Sequence, residues 1–314
     1  MPRQPDLDPV LLRAVIRRIL PGDSFRFQRT ESGVSTPVYR VWYDDAVYYL
    51  RIAEDSQLSL APEVFLLGLL GERGVKVPEV LYFEPFNETL QRSIMLTGEI
   101  RGQSLAEHGL DSDPGAILQA AGRDPAIIND VAVDGFGWIR RNKGEVTALE
   151  ADHPTNRAFL LEHWDADLLL LERTILSRQE IEALCTIVQR LDTLLDVGQS
   201  LLAHGDLDVT HIYQSNGVYM GIIDFGEIRG AGAFYDLGHF NLHDGEALAE
   251  RVLPDLLAGY REVSSMSADY ELQIQFMSLL IGVRTLAHGV GRWPAVHRQR
   301  VAGWVCELLA ALRE

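Results

Sequence analysis

The sequence predicts an α+β chain of two lobes, an antiparallel sheet followed by a mainly helical region. Three observations carry that prediction. Between residues 25 and 98, apolar and aromatic residues alternate with polar ones in short runs separated by turns, whereas from residue 156 onward apolar residues recur at spacings of three and four. The first period belongs to half-buried strands and the second to amphipathic helices. The chain has 314 residues, long enough for two lobes, and its 47% hydrophobic and 23% charged residues suit a folded protein.

The elements follow in order. Residues 8 to 20 place Leu11, Leu12, Val15, Ile16, Ile19 and Leu20 at helical spacing, and Pro21-Gly22 ends the run. "FRFQRTESGVSTPVYRVWYDDAVYYLRIAED" then reads as strand, loop, strand, acidic turn at Asp44-Asp45, and strand, an antiparallel meander. After Pro62, "EVFLLGLLGERG" is apolar and helical, with Gly74 as its stop. "KVPEVLYFEP" and "QRSIMLTGEI" add two strands, and "RGQSL" leaves the sheet, so the expected lobes are 1–98 and 99–314. Helices are expected near 156–176, 178–197, 245–262, 268–288 and 295–313, with a glycine-rich and aromatic excursion from Gly135 to Trp164. Within this region residues 201–225 form short strands around a turn at Ser215-Asn216-Gly217.

Charge and composition narrow the function. A formal net charge of −17 argues against a nucleic-acid binder, which needs a basic face. The excess suits solubility or attraction of a cationic substrate. The N-terminal stretch has no long uncharged apolar core, and charges interrupt the later apolar runs before bilayer length. No membrane partner and a cytoplasmic location are therefore expected. The two cysteines, Cys185 and Cys306, read as small buried hydrophobes without chemistry.

The chemistry concentrates in two motifs, "HGDLDVTHIY" from His204 to Tyr213 and "GIIDFGEIRG" around Asp224. Phosphoryl transfer needs a carboxylate to orient the attacking hydroxyl and hard cations on the phosphates. Asp206 follows a strand and Asp224 ends the next hairpin, so the hairpin can bring both carboxylates to one site. Ile223 and Phe225 would fix the backbone of Asp224 and leave its carboxylate for metal, and Gly226 would let the chain turn close to phosphates. His204 reads as a residue that holds the loop by hydrogen bonding. His211 has two readings, a metal ligand or a group that hydrogen-bonds Asp206 or a metal-bound water. Taken alone, the cluster also fits a metallohydrolase. The sheet favours phosphoryl transfer, because Arg51 in "YYLRIA" follows a loop able to cover phosphates and Glu63 in the next helix can pair with it.

In this combination the chain resembles the aminoglycoside phosphotransferase and choline kinase group, which has a two-lobed protein-kinase-like fold. The resemblance runs through "ESGVSTPVYRV", "YYLRIA", "PEVFLLGLL", "VKVPEVL", "MLTGEIRGQSL", "HGDLDVTHI", "IIDFGEIRG" and "YDLGHF". It implies that Asp206 is catalytic and that Asp224 is the principal metal ligand, with His211 standing where a metal-binding Asn is usual. It also implies that Arg51, paired with Glu63, grips phosphates and stands where Lys is usual. Ser32, Gly33 and Ser35 would lie in the phosphate-covering loop, and Met95, Thr97 and Glu99 beside the nucleotide base. Asp236 would support the catalytic segment. The Arg and His departures are similar to features of hygromycin B and macrolide phosphotransferases. The cofactors so implied are ATP or GTP and Mg2+.

For the acceptor, Glu162, Asp165, Asp167, Asp244 and Glu246 are candidates for a cation-binding rim, and Trp138, Trp164 and Trp293 for stacking on a sugar or lactone, against the plainer readings of solvated acids and packed aromatics. The expected activity is transfer of the γ-phosphate to a hydroxyl of an aminoglycoside-type antibiotic. A macrolide or a metabolic sugar or amino alcohol is the second substrate reading. A nucleotide-binding pseudokinase and a metallohydrolase rank lower. The expected assembly is a monomer or a homodimer.

Overall fold

The structure, a computed structural model, describes residues 5–22, 24–30, 36–107, 113–142, 144–248 and 250–313. It opens with helix α1 (Pro9–Ile19), where the side chain of Asp8 accepts from the Val10 amide and Pro9 starts the helix. Five strands follow: β1 (Phe25–Arg29), β2 (Val38–Tyr43), β3 (Ala46–Ile52), then, after helix α2 (Ala61–Glu72), β4 (Val80–Asn87) and β5 (Arg92–Gly98). All neighbours are antiparallel and the order is β1-β2-β3-β5-β4, so the last hairpin returns with β5 inside and β4 at the edge. The expected three-stranded meander is β1-β2-β3.

The two faces of this sheet separate structure from chemistry. Leu50 and Ile52 point to one side, where they pack with Val41, Ile94, Leu96 and the buried residues Leu12, Val15 and Ile16 of α1. Arg51, between them in sequence, points to the other. Burying each of the three α1 side chains is worth about 1.5–3 kcal/mol relative to exposure. Helix α2 is buried over most of its surface, and only Gly68, Gly71 and Glu72 are exposed. Its Leu66, Leu67 and Leu70 join a core that continues through Leu118, Ile222 and Phe225 of the helical lobe.

The second lobe comprises β6 (Gln103–Ser104), α3 (Pro114–Ile128), β7 (Phe136–Ile139), β8 (Ala151–His153), α4 (Asn156–Leu160), α5 (Trp164–Thr174), α6 (Arg178–Arg190), β9 (Leu201–Ala203), β10 (Ile212–Ser215), β11 (Val218–Ile222), β12 (Arg229–Ala231), α7 (Tyr235–His243), α8 (Leu253–Arg261), α9 (Tyr270–Gly289) and α10 (Ala295–Ala311). Two small sheets, β11-β10-β6 and β8-β7-β12-β9, sit among these helices and carry the two acidic motifs at their ends. Helices α5, α6, α9 and α10 share a separate apolar core.

Several local expectations change. Helix α3 is not among the expected elements, because Gly115, Gly122 and Pro125 lower its local helical signal. Gly122 is needed for packing: a Cβ there would lie 2.0 Å from the Leu256 carbonyl oxygen, and one on Gly259 would lie 1.8 Å from that of Gln119. The backbones of α3 and α8 meet where neither helix carries a side chain. The expected helix 156–176 is two helices, α4 and α5, separated at Leu161–His163. The expected helix 245–262 starts only at Leu253, because the Asp244 carboxylate accepts from the Val252 and Leu253 amides and closes a loop ahead of α8. The residues just before Asp244 form α7, a helix that the periodicity does not predict. The cysteines are not fully buried. Cys185 is exposed, while Cys306 is half-buried, donates to Glu180 (3.2 Å) and has its thiol pushed up to about 11 by burial and that carboxylate.

Candidate active site

Two cavities are lined in part by residues of the acidic motifs. The first, 390 Å³, lies between the lobes, with Trp42, Tyr49, Arg51, Met95 and Thr97 on the sheet side and Ile223 and Asp224 on the other. The second, 330 Å³, lies within the helical lobe and has Asp206 in its wall.

Arg51 joins the lobes. Its guanidinium lies 3.2 Å from Glu63 Oε2 and 3.2 Å from Asp224 Oδ1. Glu63 is 1% exposed and meets a second cation, Arg141 Nη2, at 2.8 Å. Arg141 also donates to the Gly226 carbonyl, tying helix α2 to the loop after Asp224. Two guanidinium groups thus face two carboxylates, the buried Glu63 and the more exposed Asp224. Sequence reasoning missed Arg141, because nothing local in "GWIRRNK" indicates a partner 78 residues upstream.

Asp224 sits at φ 65°, a left-handed conformation unusual outside glycine. Burial would raise its pKa, but Arg51 and His211 outweigh that and hold the carboxyl below its usual range. The expected role of Gly226 changes. Its φ is ordinary, and what matters is the missing side chain, since a Cβ there would lie 2.4 Å from Arg51 Nη2. The glycine makes room for the guanidinium.

The loop before Asp206 is held from below. His204 is fully buried, its amide donates to Asp236 Oδ2 at 2.8 Å, and its ring Nε2 lies 2.9 Å from the Ile223 carbonyl oxygen. Burial lowers its pKa, keeping the ring neutral. Gly205 (φ +87°) donates to the other oxygen of Asp236 at 2.9 Å. Asn129 of α3 completes the clamp with a 2.9 Å bond to Asp236 Oδ2. The carboxylate of Asp236 is thereby used up in fixing the backbone that presents Asp206.

His211 places Nδ1 at 2.7 Å from the Asp206 carbonyl oxygen, so Nδ1 is the donor and Nε2 turns toward Asp224 Oδ2, 3.9 Å away. Burial opposes a charge on this ring, yet Asp208, Asp206 and Asp224 together raise its pKa. An imidazole nitrogen and a carboxylate oxygen separated by that gap fit a divalent cation. Asp206, Asp208 and His211 also come within 4.8 Å of one another. Asp208, however, accepts from the Thr210 amide at 2.7 Å and binds its hydroxyl, and Asp206 belongs to the wall of the second cavity. Asp224 and His211 remain as the residues that could hold a metal.

The other expected site residues fall in three groups. Met95 and Thr97 are buried in the wall of the first cavity, whereas Glu99 is paired with Arg40 at 2.8 Å. Ser32, Gly33 and Ser35 lie outside the described residues. Of the acids expected to meet the acceptor, Asp165, Asp167, Asp244 and Glu246 lie outside the wall of the second cavity. Asp165 is exposed, and Asp167 is buried against Arg284 (2.9 and 3.0 Å). Asp244 closes the loop before α8, and Glu246 is held by His243 and Arg300. The acids that do line the wall are Glu162, Asp206 and Glu227, together with Arg229, Arg284, Trp138 and Trp293. Trp164 packs in the helical core, and Trp138 is 43% exposed beneath the Arg229 guanidinium, 4.2 Å from its ring centre. Burial, with Asp206 and Asp224 nearby, raises the pKa of Glu227, although Arg229 opposes this. Sequence spacing offered one cue to Glu227, its place three residues after Asp224.

A family model described as the phosphotransferase enzyme family matches residues 26–271, a span that includes both acidic motifs. The chain belongs to that family. As a family member it is a phosphotransferase, and its class is that of small-molecule kinases. Among solved structures, the apo form of a thermostable mutant of aminoglycoside phosphotransferase APH(4)-Ia aligns with TM-score 0.67 at 16% identity, covering 91% of this chain and 94% of that one. A ternary complex of the same phosphotransferase with AMP-PNP and hygromycin B aligns with TM-score 0.66 at 16% identity, over 96% and 97%. A provisionally assigned fructosamine-3-kinase from Thermobifida fusca YX-ER1 aligns with TM-score 0.62 at 16% identity, over 95% and 98%. At these identities the likeness establishes the two-lobed protein-kinase-like fold. No curated protein matches the chain.

Proposed function

We propose that this phosphotransferase moves the γ-phosphate of ATP or GTP onto a hydroxyl of a small molecule held in the 330 Å³ cavity. The observation that carries the reading is the closeness of the two motif acids, each 3.9 Å from His211, with Asp224 and Arg51 lining one cavity and Asp206 the other. Nucleotide phosphates would lie against Arg51, the base beside Met95 and Thr97, and Asp224 with His211 would hold Mg2+. When bound, the cation neutralises phosphate charge. Asp206 accepts the proton of the attacking hydroxyl as the new oxygen–phosphorus bond forms and the nucleoside diphosphate departs with the electron pair of the broken bond. We place this activity in the cytoplasm, where such nucleotides are supplied.

An aminoglycoside-type acceptor is supported by the family and by the neighbour that binds hygromycin B. One observation favours the second substrate reading, an acceptor with one positive charge or none. Arg229 and Arg284 line the cavity beside its three acids, and four acids expected there lie elsewhere. A polycation would meet both guanidinium groups. The test is nucleoside-diphosphate release from MgATP and MgGTP across aminoglycosides, macrolides, sugars and amino alcohols, with Asp206→Asn as control. Stimulation by one class, abolished in the variant, is the expected result. Equal release by Asp206→Asn would overturn the assignment.

A further inference from the structure

Opposite Asp206, in the wall of the second cavity, stands an imidazole that the transfer step does not yet use. His239 lies in α7 and is buried. Its Nδ1 is 3.1 Å from the Leu207 carbonyl oxygen. A carbonyl only accepts, so Nδ1 carries a hydrogen. Nε2 then faces Asp206 Oδ1 at 3.4 Å. Burial, reinforced by the adjacent His243 ring at 4.7 Å between centres, disfavours the imidazolium even though Asp206 and Asp208 lie close. The neutral ring presents a lone pair at Nε2. Two acceptors therefore confront one another across a gap that opens into the acceptor cavity. Their mutual repulsion is relieved by a group that brings a hydrogen, and the attacking hydroxyl is the donor the reaction delivers there.

We infer that His239 Nε2 and Asp206 Oδ1 form a paired acceptor for the attacking hydroxyl, which makes His239 a catalytic residue. This rests on the kinase reading above. The hydroxyl oxygen bonds to the γ-phosphorus, and the bond from that phosphorus to the β,γ-bridging oxygen breaks, its electron pair leaving on the nucleoside diphosphate. The hydroxyl proton goes to Asp206 Oδ1 and leaves that carboxyl for solvent through the cavity, while Nε2, 3.4 Å away, accepts from the hydroxyl and holds it in line. Without Nε2 the hydroxyl loses one of its two positioning contacts.

The alternative is a purely structural imidazole that pins the catalytic loop through Leu207. Asparagine separates the two roles, because its side-chain amide can donate to the Leu207 carbonyl from near the Nδ1 position while offering nothing at Nε2. The experiment compares His239→Asn, His239→Gln and Asp206→Asn with the parent protein, using MgATP with water as acceptor, and measures MgATP affinity separately by calorimetry. The expected result is unchanged MgATP affinity in His239→Asn with turnover lowered roughly tenfold, the order of one hydrogen bond lost from the attacking hydroxyl. Parent-like turnover in His239→Asn, with Asp206→Asn inactive, overturns the inference and leaves the kinase reading intact. Parent-like turnover in Asp206→Asn overturns the kinase reading itself. A second measurement needs no variant and no turnover: nitrogen-15 spectra of the parent's imidazoles at pH 7. A His239 ring protonated at Nδ1 and bare at Nε2 is expected, and an imidazolium or the Nε2–H tautomer overturns the inference.

Discussion

Arg51 makes two contacts at once, one to Glu63 and one to Asp224, each at 3.2 Å. A guanidinium can do this because its donors are spread over a planar fork, whereas an ammonium is a single point. Arg51→Lys should therefore keep the fold but weaken MgATP binding by about tenfold, the loss of one charge-assisted contact of about 1.4 kcal/mol, as read by calorimetry. Unchanged affinity would mean that Arg51 does not grip phosphates. Asp224→Ala should weaken binding of the magnesium nucleotide far more than that of the metal-free nucleotide. Equal weakening of both would remove Asp224 from the metal.

At the scale of elements, the connection between helix α2 and the loop after Asp224 depends on Arg141. It reaches from the segment after β7 to Glu63 and the Gly226 carbonyl. Removing it leaves a carboxylate that is 1% exposed with one cation in place of two. Arg141→Ala should cost on the order of 3 kcal/mol of stability, visible as a lower urea midpoint, and should raise the KM for MgATP as α2 loses its alignment. A variant as stable as the parent would show that Arg51 alone neutralises Glu63. The α3–α8 crossing makes a second prediction at this scale. Gly122→Ala brings a methyl to 2.0 Å from the Leu256 carbonyl oxygen, so the helices must part, at a cost of about 1–3 kcal/mol.

At the scale of the whole molecule, stability should fall as the solution is acidified below neutrality. His239 is held neutral by burial, its pKa down at about 4, and burial depresses His204 as well. Both folded-state values lie below the unfolded value of about 6.5, so the unfolded chain takes up protons first. Their contribution is fully present above that unfolded value and is lost progressively as pH falls through it, for His239 down to about 4. For His239 alone the loss by pH 5 is on the order of 2 kcal/mol. His211 acts with the opposite sign, because its raised pKa gives stability that persists at low pH and fades as pH rises through the folded value. Urea midpoints at pH 7 and pH 5 test the balance. His239→Gln should narrow the difference, and an equal fall in parent and variant would exclude His239 as its source.

What the sequence by itself determined was local. A strand's side chains alternate with period 2 and a helix's with period 3.6, so periodicity marked the strands of the first lobe and most helices of the second, and Arg51 with Glu63 turned two acidic motifs that also fit a metallohydrolase toward phosphoryl transfer. Periodicity also misled locally, where a loop closed by Asp244 read as the start of α8 and a glycine-bearing α3 read as no helix. The tertiary structure decided which charges meet. Asp167 and Asp244 looked like free acids for a cationic substrate, yet one is paired with Arg284 and the other accepts from two backbone amides. Arg141 and His239 looked ordinary, yet one lies against Glu63 and the other against Asp206. The physical reason is that propensity and side-chain period act between residues a few positions apart, while Coulomb attraction and burial depend on distance and solvent in the folded molecule.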